Sequence, residues 1–297
     1  MAVLLARLDR RVTPYLLVAP FFVLFGAFGL YPAARTAWMS LYDWDLLDGP
    51  VAFTGWANYA ALFADPGFYR ALANTASIFV AATVPQLLCA LGVAALLDRP
   101  LRGSAVWRAV VLLPNVVPVV AVALVFAQLF GRDQGLVNWV LSGFGADPVD
   151  WRAHAWSAHL GVAVMVAWRW TGYNALLYLA AMRAVPRELH EAAELDGASR
   201  WRAFRSVTLP SIRPTLLFTA VVATIGGFQL FTEPTLFGGA DGGADRQFQT
   251  LVMYLYEAGF ERFDAGYAAA VSWVLFALCA VLALVNAALL RRAVRGG

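Results

Sequence analysis

The amino-acid sequence predicts an all-α, multi-pass membrane protein with six transmembrane helices. Hydrophobic residues occupy 61% of the 297 positions and charged residues only 14%, whereas a soluble domain is about half apolar and a quarter charged. In addition, six segments supply the roughly 20 mostly apolar residues that a helix needs to cross a bilayer. The predicted spans are Thr13–Leu41, Ala71–Leu97, Val106–Phe130, Ala155–Met182, Pro214–Phe237 and Tyr267–Leu290.

Arginine positions indicate the orientation of these spans, because arginine near span ends is enriched on the cytoplasmic side. Fifteen arginines lie at the two termini and in the connections after the second and fourth spans. Only five lie in the other three connections. We therefore expect both termini in the cytoplasm. A cleaved signal peptide is a less favoured interpretation of the first segment, since its apolar stretch exceeds the usual signal core.

The spans and their connections divide the chain into three predicted regions. Residues 1–69 comprise an N-terminal tail, the first transmembrane helix and an external loop. Residues 70–291 form a five-helix core, which contains a long cytoplasmic loop at residues 183–214. Residues 292–297 form a cytoplasmic tail.

Several kinds of chemistry are not expected in this chain. All 22 basic residues are arginine, so the lysine of a Walker A phosphate loop is missing, and any ATP must bind another polypeptide. Cys89 and Cys279 lie in apolar stretches, and His154, His159 and His190 are scattered. Neither set has the spacing of a metal site. We therefore predict no metal, no cofactor and no catalytic residues.

The loop at residues 183–214 is the most polar connection, and it predicts two short helices that meet at a glycine. Glu188, Glu191 and Glu194 favour the first turns of a helix through its macrodipole. Gly197 can end that helix because glycine tolerates the left-handed conformation, and Ser199 is a suitable cap for the next helix. An amphipathic loop on lipid headgroups is the alternative, but anionic lipid would repel the three glutamates.

The same loop resembles a known motif. The order Glu-Ala-Ala, three residues, Gly, nine residues and a final Val-x-Leu-Pro is similar to the EAA loop of binding-protein-dependent importers of the ATP-binding-cassette (ABC) class. Valine stands where that family usually has isoleucine. The resemblance implies that the loop binds separate ATPase subunits through these seven residues: Glu191, Ala192, Ala193, Gly197, Val207, Leu209 and Pro210.

Shorter segments elsewhere resemble the carbohydrate-type members of that family. They are Trp56–Tyr59 with Asp65 and Pro66, Ala73–Thr75, Leu113 and Pro114 with Pro118, Gly238 and Gly239, Thr250 and Leu251, and Gly266–Ala270. The resemblance implies a permease subunit in the bacterial cytoplasmic membrane that moves a solute, with a sugar favoured. The implied partners are ATPase subunits, a second permease of different sequence and an extracytoplasmic solute-binding protein, and no nucleic acid.

Polar residues inside the predicted fourth and fifth spans are candidates for the substrate path. Arg169 lies near the middle of the fourth span, where an unpaired charge costs at least about 2.5 kcal/mol, so it should face the interior. Tyr173 is one helical turn away and Asn174 follows it, while Gln229 and Glu233 would share one face of the fifth span. Hydrogen bonding between helices is the competing interpretation of all five residues.

Two other functional classes, an ion-coupled carrier and a membrane enzyme, are less favoured than an ABC permease. An ion-coupled carrier usually keeps acidic residues inside the membrane, and none lies at the centre of a predicted span. A membrane enzyme should show His and Asp clustered at a membrane boundary, and the sequence has no such cluster. Within the ABC class, glycerol phosphate is an alternative to a sugar as the solute.

Overall fold

The computed structural model describes residues 2–45 and 49–295, with side chains from Thr13 onward to Leu289 except in the gap. The side chains of the terminal arginines that indicate the orientation (Arg7, Arg10, Arg11, Arg291, Arg292 and Arg295) lie outside the described residues. The described chain is mostly helical, as predicted. Its helices are α1 Ala2–Phe25, α2 Tyr31–Met39, α3 Ala57–Ala64, α4 Pro66–Leu97, α5 Ser104–Val116, α6 Val119–Leu129, α7 Leu136–Gly143, α8 Ala155–Arg183, α9 Arg187–Leu195, α10 Arg200–Ala203, α11 Leu209–Ser211, α12 Arg213–Phe228, α13 Thr232–Gly238, α14 Leu251–Tyr256 and α15 Ala265–Arg295.

Three helical segments are long and apolar enough to cross a membrane without interruption. They are Thr13–Met39, Pro66–Leu97 and Ala265–Leu289, and they contain most of the predicted first, second and sixth spans. In the first, a π-helical turn at Gly26–Leu30 joins α1 to α2 without ending the helix. Its apolar side chains are exposed, for example Leu17 and Phe28, which suits contact with lipid or with another membrane helix.

The third predicted span is sharply bent. Its two halves, α5 and α6, meet at an angle of 89°. Pro118 causes this break, because proline lacks the N–H that would continue the helix and forces the preceding residue into an extended conformation. Val117 is extended accordingly, with φ −66° and ψ 134°. Pro114 lies within α5.

The fifth predicted span is also interrupted, so the prediction of one helix over Pro214–Phe237 is wrong. Helix α12 ends at Phe228 and α13 begins only at Thr232. A second bend of 64° separates α12 from the preceding segment, Arg200–Ser211. Glycines at 226 and 227 lie just before the interruption between α12 and α13, and glycine is a poor helix former.

The fourth predicted span is one continuous helix, α8, of 29 residues. At about 1.5 Å per residue it is long enough to cross a bilayer. Its apolar character is weaker, because Trp168, Arg169 and Trp170 interrupt it. By length and composition the described residues contain three candidate spans, or up to five if each bent pair counts as one span. A total of six spans would require that α8 also crosses the membrane.

One compact unit comprises the described parts of residues 1–64 and 256–274. It contains an antiparallel hairpin that the sequence analysis did not predict, formed by β1 Tyr42–Asp45 and β2 Gly49–Phe53. Asn58 fastens the hairpin to α3, because its Nδ2 donates to the carbonyls of Ser40 and Tyr42 at 2.9 Å each.

The other unit comprises residues 65–255 and the described part of 275–297, and its core surrounds α8. Helix α8 packs along α4 and α5. At Gly172 the backbones come so close that a Cβ would lie 1.7 Å from the carbonyl oxygen of Val111. Tyr178 is fully buried one and a half turns further on, and its hydroxyl pairs with Thr219 Oγ1 at 2.7 Å. These contacts fix the position of α8 against its neighbours.

Candidate functional sites

A cavity of about 230 Å³ lies beside the break in the fifth predicted span. Helices α4, α8 and α12, the break itself and the start of α13 enclose it. Four of the five residues predicted for the substrate path line it: Tyr173, Asn174, Gln229 and Glu233. The remaining lining residues are Thr83, Gln86, Val166, Trp170, Thr219, Val222, Ala223, Gly226, Gly227, Leu230, Phe231 and Thr232.

Arg169, the fifth predicted residue, is tied to this cavity by an ion pair. Its Nη1 donates to Glu233 Oε1 at 2.7 Å, and the two side chains are only 14% and 10% exposed. The pair joins α8 to the first turn of α13. Because a buried charge without a partner is strongly destabilising, each residue makes the other tolerable at this depth. The expectation that Arg169 faces the interior is therefore confirmed.

The predicted relation between Gln229 and Glu233 is wrong in one respect. They do not share the face of a continuous helix, because Gln229 is the C-terminal cap of α12 and Glu233 belongs to the first turn of α13. They nevertheless line the same cavity. The break turns backbone and side chains of residues 229–233 toward that space, as interrupted helices do at membrane-protein binding sites.

Hydrogen bonds from two other elements hold the break in place. Thr250 Oγ1 donates to the carbonyl of Leu230, inside the break, at 2.6 Å. The segment carrying Thr250 is fixed in turn by α4. Asn74 Nδ2 donates to the Gln249 carbonyl at 3.1 Å, and Thr75 Oγ1 accepts from the Leu251 N–H at 2.9 Å. The motifs at residues 73–75 and 250–251 thus meet here in space.

His159 fixes the same segment from α8. Its Nε2 lies 2.8 Å from the Gln247 carbonyl, and its Nδ1 lies 2.9 Å from Ser77 Oγ. A carbonyl oxygen can only accept, so Nε2 carries the proton. His159 is 8% exposed and acts here as a structural bridge between α4, α8 and the segment at 247.

The sequence analysis missed Gln86 and Trp170 as cavity residues. Gln86 is 4% exposed, and its Nε2 has no hydrogen-bond partner within the described residues. Trp170 packs edge-on against Tyr173, with ring centroids 5.8 Å apart. The signal for Gln86 was a glutamine in the C-terminal half of the predicted second span, where its neighbours are apolar. One sequence alone does not show which way such a side chain faces.

The predicted helix–glycine–helix corner is present at residues 187–203. Helix α9 ends where Gly197 adopts a left-handed φ of +72°. The Gly197 N–H donates to the Glu194 carbonyl at 3.0 Å, and the Ala198 N–H to that of Ala193 at 2.9 Å. Ser199 then caps α10, since its Oγ accepts from the Arg202 N–H at 3.3 Å.

The residues of this corner divide into an exposed group and an anchoring group. Glu191, Ala192 and Gly197 are exposed and Ala193 is half-buried. Val207, Leu209 and Pro210 are half-buried near the return to α12. Phe204 and Ile212 pack in an apolar cluster with the ends of α4 and α8, which include Leu97 and Met182. The corner is therefore a projecting surface anchored on the helical core.

Two exposed apolar residues of the corner were not predicted as contacts. Leu195 is 90% exposed, and Trp201 is 67% exposed although it stacks on Phe204 with ring centroids 5.7 Å apart. Both side chains lie on a corner that is otherwise rich in charged residues. Phe204 and Val207, which follow Trp201 at three-residue spacing, are half-buried.

A helical membrane core, an interrupted span beside a polar cavity and a projecting corner define a membrane-transport subunit. Residues 86–295 match the family of binding-protein-dependent transport system inner membrane components, and the chain belongs to this family. It is therefore a permease subunit of an ABC importer. The family is one of transport components and not of enzymes.

The sequence is similar to those of named relatives over most of its length. The lactose transport system permease protein LacF of Rhizobium radiobacter is 37% identical over 279 residues, which is 93% of both chains. The arabinooligosaccharides transport system permease protein AraP of Halalkalibacterium halodurans is 33% identical, over 93% of this chain and 87% of the relative. The sn-glycerol-3-phosphate transport system permease protein UgpA of Salmonella choleraesuis is 34% identical over 93% of both chains.

The fold matches a solved structure of the same class. A chain from the crystal structure of a bacterial ABC transporter involved in the import of the acidic polysaccharide alginate superposes with a TM-score of 0.80. The match covers 97% of this chain and 98% of the other at 22% sequence identity. At that identity the likeness establishes the fold, and it says nothing about the solute.

Proposed function

We propose that this chain is one of two permease halves of an importer that carries a sugar across the bacterial cytoplasmic membrane, driven by ATP hydrolysis in separate subunits. The observation that carries the proposal is the cavity at the interrupted fifth span. Its amides and hydroxyls can hydrogen-bond sugar hydroxyls, and Trp170 and Tyr173 offer aromatic surface. Several relatives named for neutral sugars support the choice of solute.

The membrane arrangement proposed for this function has six spans with both termini in the cytoplasm. Helix α8 is then the fourth span, and the bent pair α5–α6 and the interrupted α12–α13 form the third and fifth. The arginine bias of the connections supports this orientation. Residues 1–69 then contain the N-terminal tail, the first span and an external loop. Residues 70–291 form the five-helix core, and residues 292–297 form a cytoplasmic tail.

In this arrangement the corner at residues 187–203 couples the permease to the ATPase. Glu191 offers a negative charge to an ATPase arginine, and Ala192 and Ala193 allow close approach. Gly197 sets the bend, while Val207, Leu209 and Pro210 connect the corner to α12. A displacement of the corner by the ATPase would move α12, and α12 ends at the break that lines the cavity. Coupling is then mechanical, through a two-state interface.

The proposed partners are two ATPase subunits, a second permease of different sequence and an extracytoplasmic solute-binding protein. One structure similar in fold contains a periplasmic protein with bound alginate pentasaccharide, which supports the last of these. An ion-coupled carrier is less favoured, because the chain belongs to a family of binding-protein-dependent transport components.

Deletion of the gene tests the solute class. Uptake of radiolabelled lactose, arabinobiose, maltose and trehalose is measured in cells with and without the chain. Uptake of at least one neutral sugar should disappear on deletion and return with the wild-type gene. Unchanged sugar uptake, together with lost uptake of a phosphate ester or an amino acid, would overturn the proposal.

A further inference from the structure

Helix α7 lies in the connection between α6 and α8, and its inward side is fixed to the protein. Asn138 is buried and uses both ends of its amide. Its Nδ2 donates to the Val149 carbonyl at 2.8 Å, and its Oδ1 accepts from Trp151 Nε1 at 3.0 Å. Val137 and Leu141 pack against the apolar core. The face that α7 turns away from the protein is therefore set by these contacts.

That outer face of α7 is apolar and exposed. Leu136, Trp139 and Val140 are all exposed, Trp139 by 72%, and Phe144, which caps the end of the helix, is 86% exposed. Residues three or four positions apart lie on one face of a helix, so these side chains form a stripe. Helix α7 carries no charged residue. Because a helix exposed to water normally has polar residues on its outer face, water is not the expected surroundings of this stripe.

The position of α7 in the chain places it at a membrane boundary. Its eight residues extend over only about 12 Å, which is too short to cross a bilayer. It precedes α8, and the corner at residues 187–203 follows α8, so α7 and the corner lie at opposite ends of that helix. In the proposed arrangement α8 is the fourth span, and α7 then lies at the outer surface of the bilayer.

A second exposed apolar stripe begins close to α7 and runs along α8. Trp151, which bonds to Asn138 of α7, lies with its ring 6.4 Å from that of Trp156 in the first turn of α8. Beyond Trp156, the exposed side chains of Leu160 and Val164 follow at four-residue intervals. This stripe enters the proposed span, where lipid or another membrane helix must cover it. Helix α7 is thus held beside the outer end of a membrane-facing surface.

We propose that α7 is an interfacial helix and that its stripe, formed by Leu136, Trp139, Val140 and Phe144, is immersed in the outer leaflet of the bilayer. The proposal rests on the proposed arrangement of spans and adds a lipid contact to the proposed function. Tryptophan suits this position because its ring is apolar while its N–H can bond to water or headgroups. The contact holds the outer end of α8 at a fixed depth while the corner moves at the other end.

Nitroxide labels on α7 measure this immersion. Leu136→Cys, Val140→Cys and Phe144→Cys are labelled one at a time, without the native cysteines, in the complete importer in nanodiscs of phosphatidylethanolamine and phosphatidylglycerol. Power-saturation EPR compares collisions of each label with oxygen, which concentrates in lipid, and with a water-soluble nickel complex. Ser142→Cys is the matched control, because Ser142 is exposed and lies about 200° around the helix from Val140.

The labels at residues 136, 140 and 144 should collide mainly with oxygen, at a depth of about 5–10 Å, as expected for an interfacial helix. The label at residue 142 should collide mainly with nickel. Equal nickel access at residues 140 and 142 would overturn the proposal.

Two further outcomes would assign the stripe to a protein and also overturn the proposal. One is low access of both reagents to residue 140, which would mean that another subunit covers it. The other is nickel access to residue 140 that is lost only when the solute-binding protein is added. Sugar uptake by the labelled importer tests the proposed function separately, since uptake with a water-exposed stripe would overturn the lipid contact alone.

Discussion

At the scale of the residue, the ion pair between Arg169 and Glu233 decides how a charge is tolerated inside α8. Sequence analysis predicted that Arg169 turns inward but could not identify its partner, because Glu233 is 64 residues away and follows a break in the helix. The periodicity of a continuous helix placed Glu233 beside Gln229, and that assumption failed at Phe228. Burial of a charge was predictable here, whereas the geometry that neutralises it was not.

Replacing only one member of the pair should therefore be harmful. Arg169→Met leaves the Glu233 carboxylate buried and unpaired, and we expect a loss of about 3–5 kcal/mol in the free energy of unfolding. The double variant Arg169→Met/Glu233→Gln should recover most of that loss. Thermal denaturation of the detergent-purified subunit measures both, and equal stabilities of the single variant and wild type would contradict the assigned pairing.

At the scale of the element, the close crossing of α8 and α5 depends on Gly172. Gly172→Ala places a methyl group 1.7 Å from the position of the Val111 carbonyl oxygen, so the helices must separate and the melting temperature should fall by several degrees. Gly92→Ala is the control, because nothing lies within 4 Å of a Cβ at that position in α4. A similar melting temperature for both variants would show that the crossing is not close.

The corner at residues 187–203 depends on the left-handed conformation of Gly197. Gly197→Ala strains that conformation by about 1–2 kcal/mol, whereas Gly197→Asn is tolerated better because asparagine adopts it more readily. We expect the alanine variant to insert into the membrane but to lose much of its ATPase binding, measured by co-purification. The asparagine variant should retain most of it. Full ATPase binding by the alanine variant would contradict the role of the bend.

The elements also show what a single sequence can and cannot predict. The helices containing the first, second and sixth predicted spans are continuous apolar stretches, so hydropathy locates them well. The corner was predictable from local chemistry, since Gly197 and Ser199 act on their immediate neighbours. The bend at 117–118 follows from Pro118, whereas the break at 229–231 depends on packing from distant segments, such as the bond from Thr250 to Leu230. The missed β1–β2 hairpin is short and held by Asn58, which no local pattern indicates.

At the scale of the whole molecule, the proposed orientation places the corner in the cytoplasm and α7 outside. Single cysteines test it in a background with Cys89→Ala and Cys279→Ala. Ser206→Cys and Ser142→Cys are a matched pair, because both serines are exposed. A membrane-impermeant maleimide added to intact cells should label residue 142 and should label residue 206 only after the membrane is opened. The reverse pattern would invert the topology.

In the proposed function, this chain moves a sugar only when a separate ATPase drives it. The most direct test is uptake of the identified radiolabelled sugar into proteoliposomes that contain the complete importer, with ATP supplied on the ATPase side. Uptake should occur with active ATPase subunits and fall to background when ATP is replaced by a non-hydrolysable analogue or when Glu191→Lys detaches the ATPase subunits. Sustained accumulation by the permease alone, without any nucleotide-hydrolysing partner, would contradict the account.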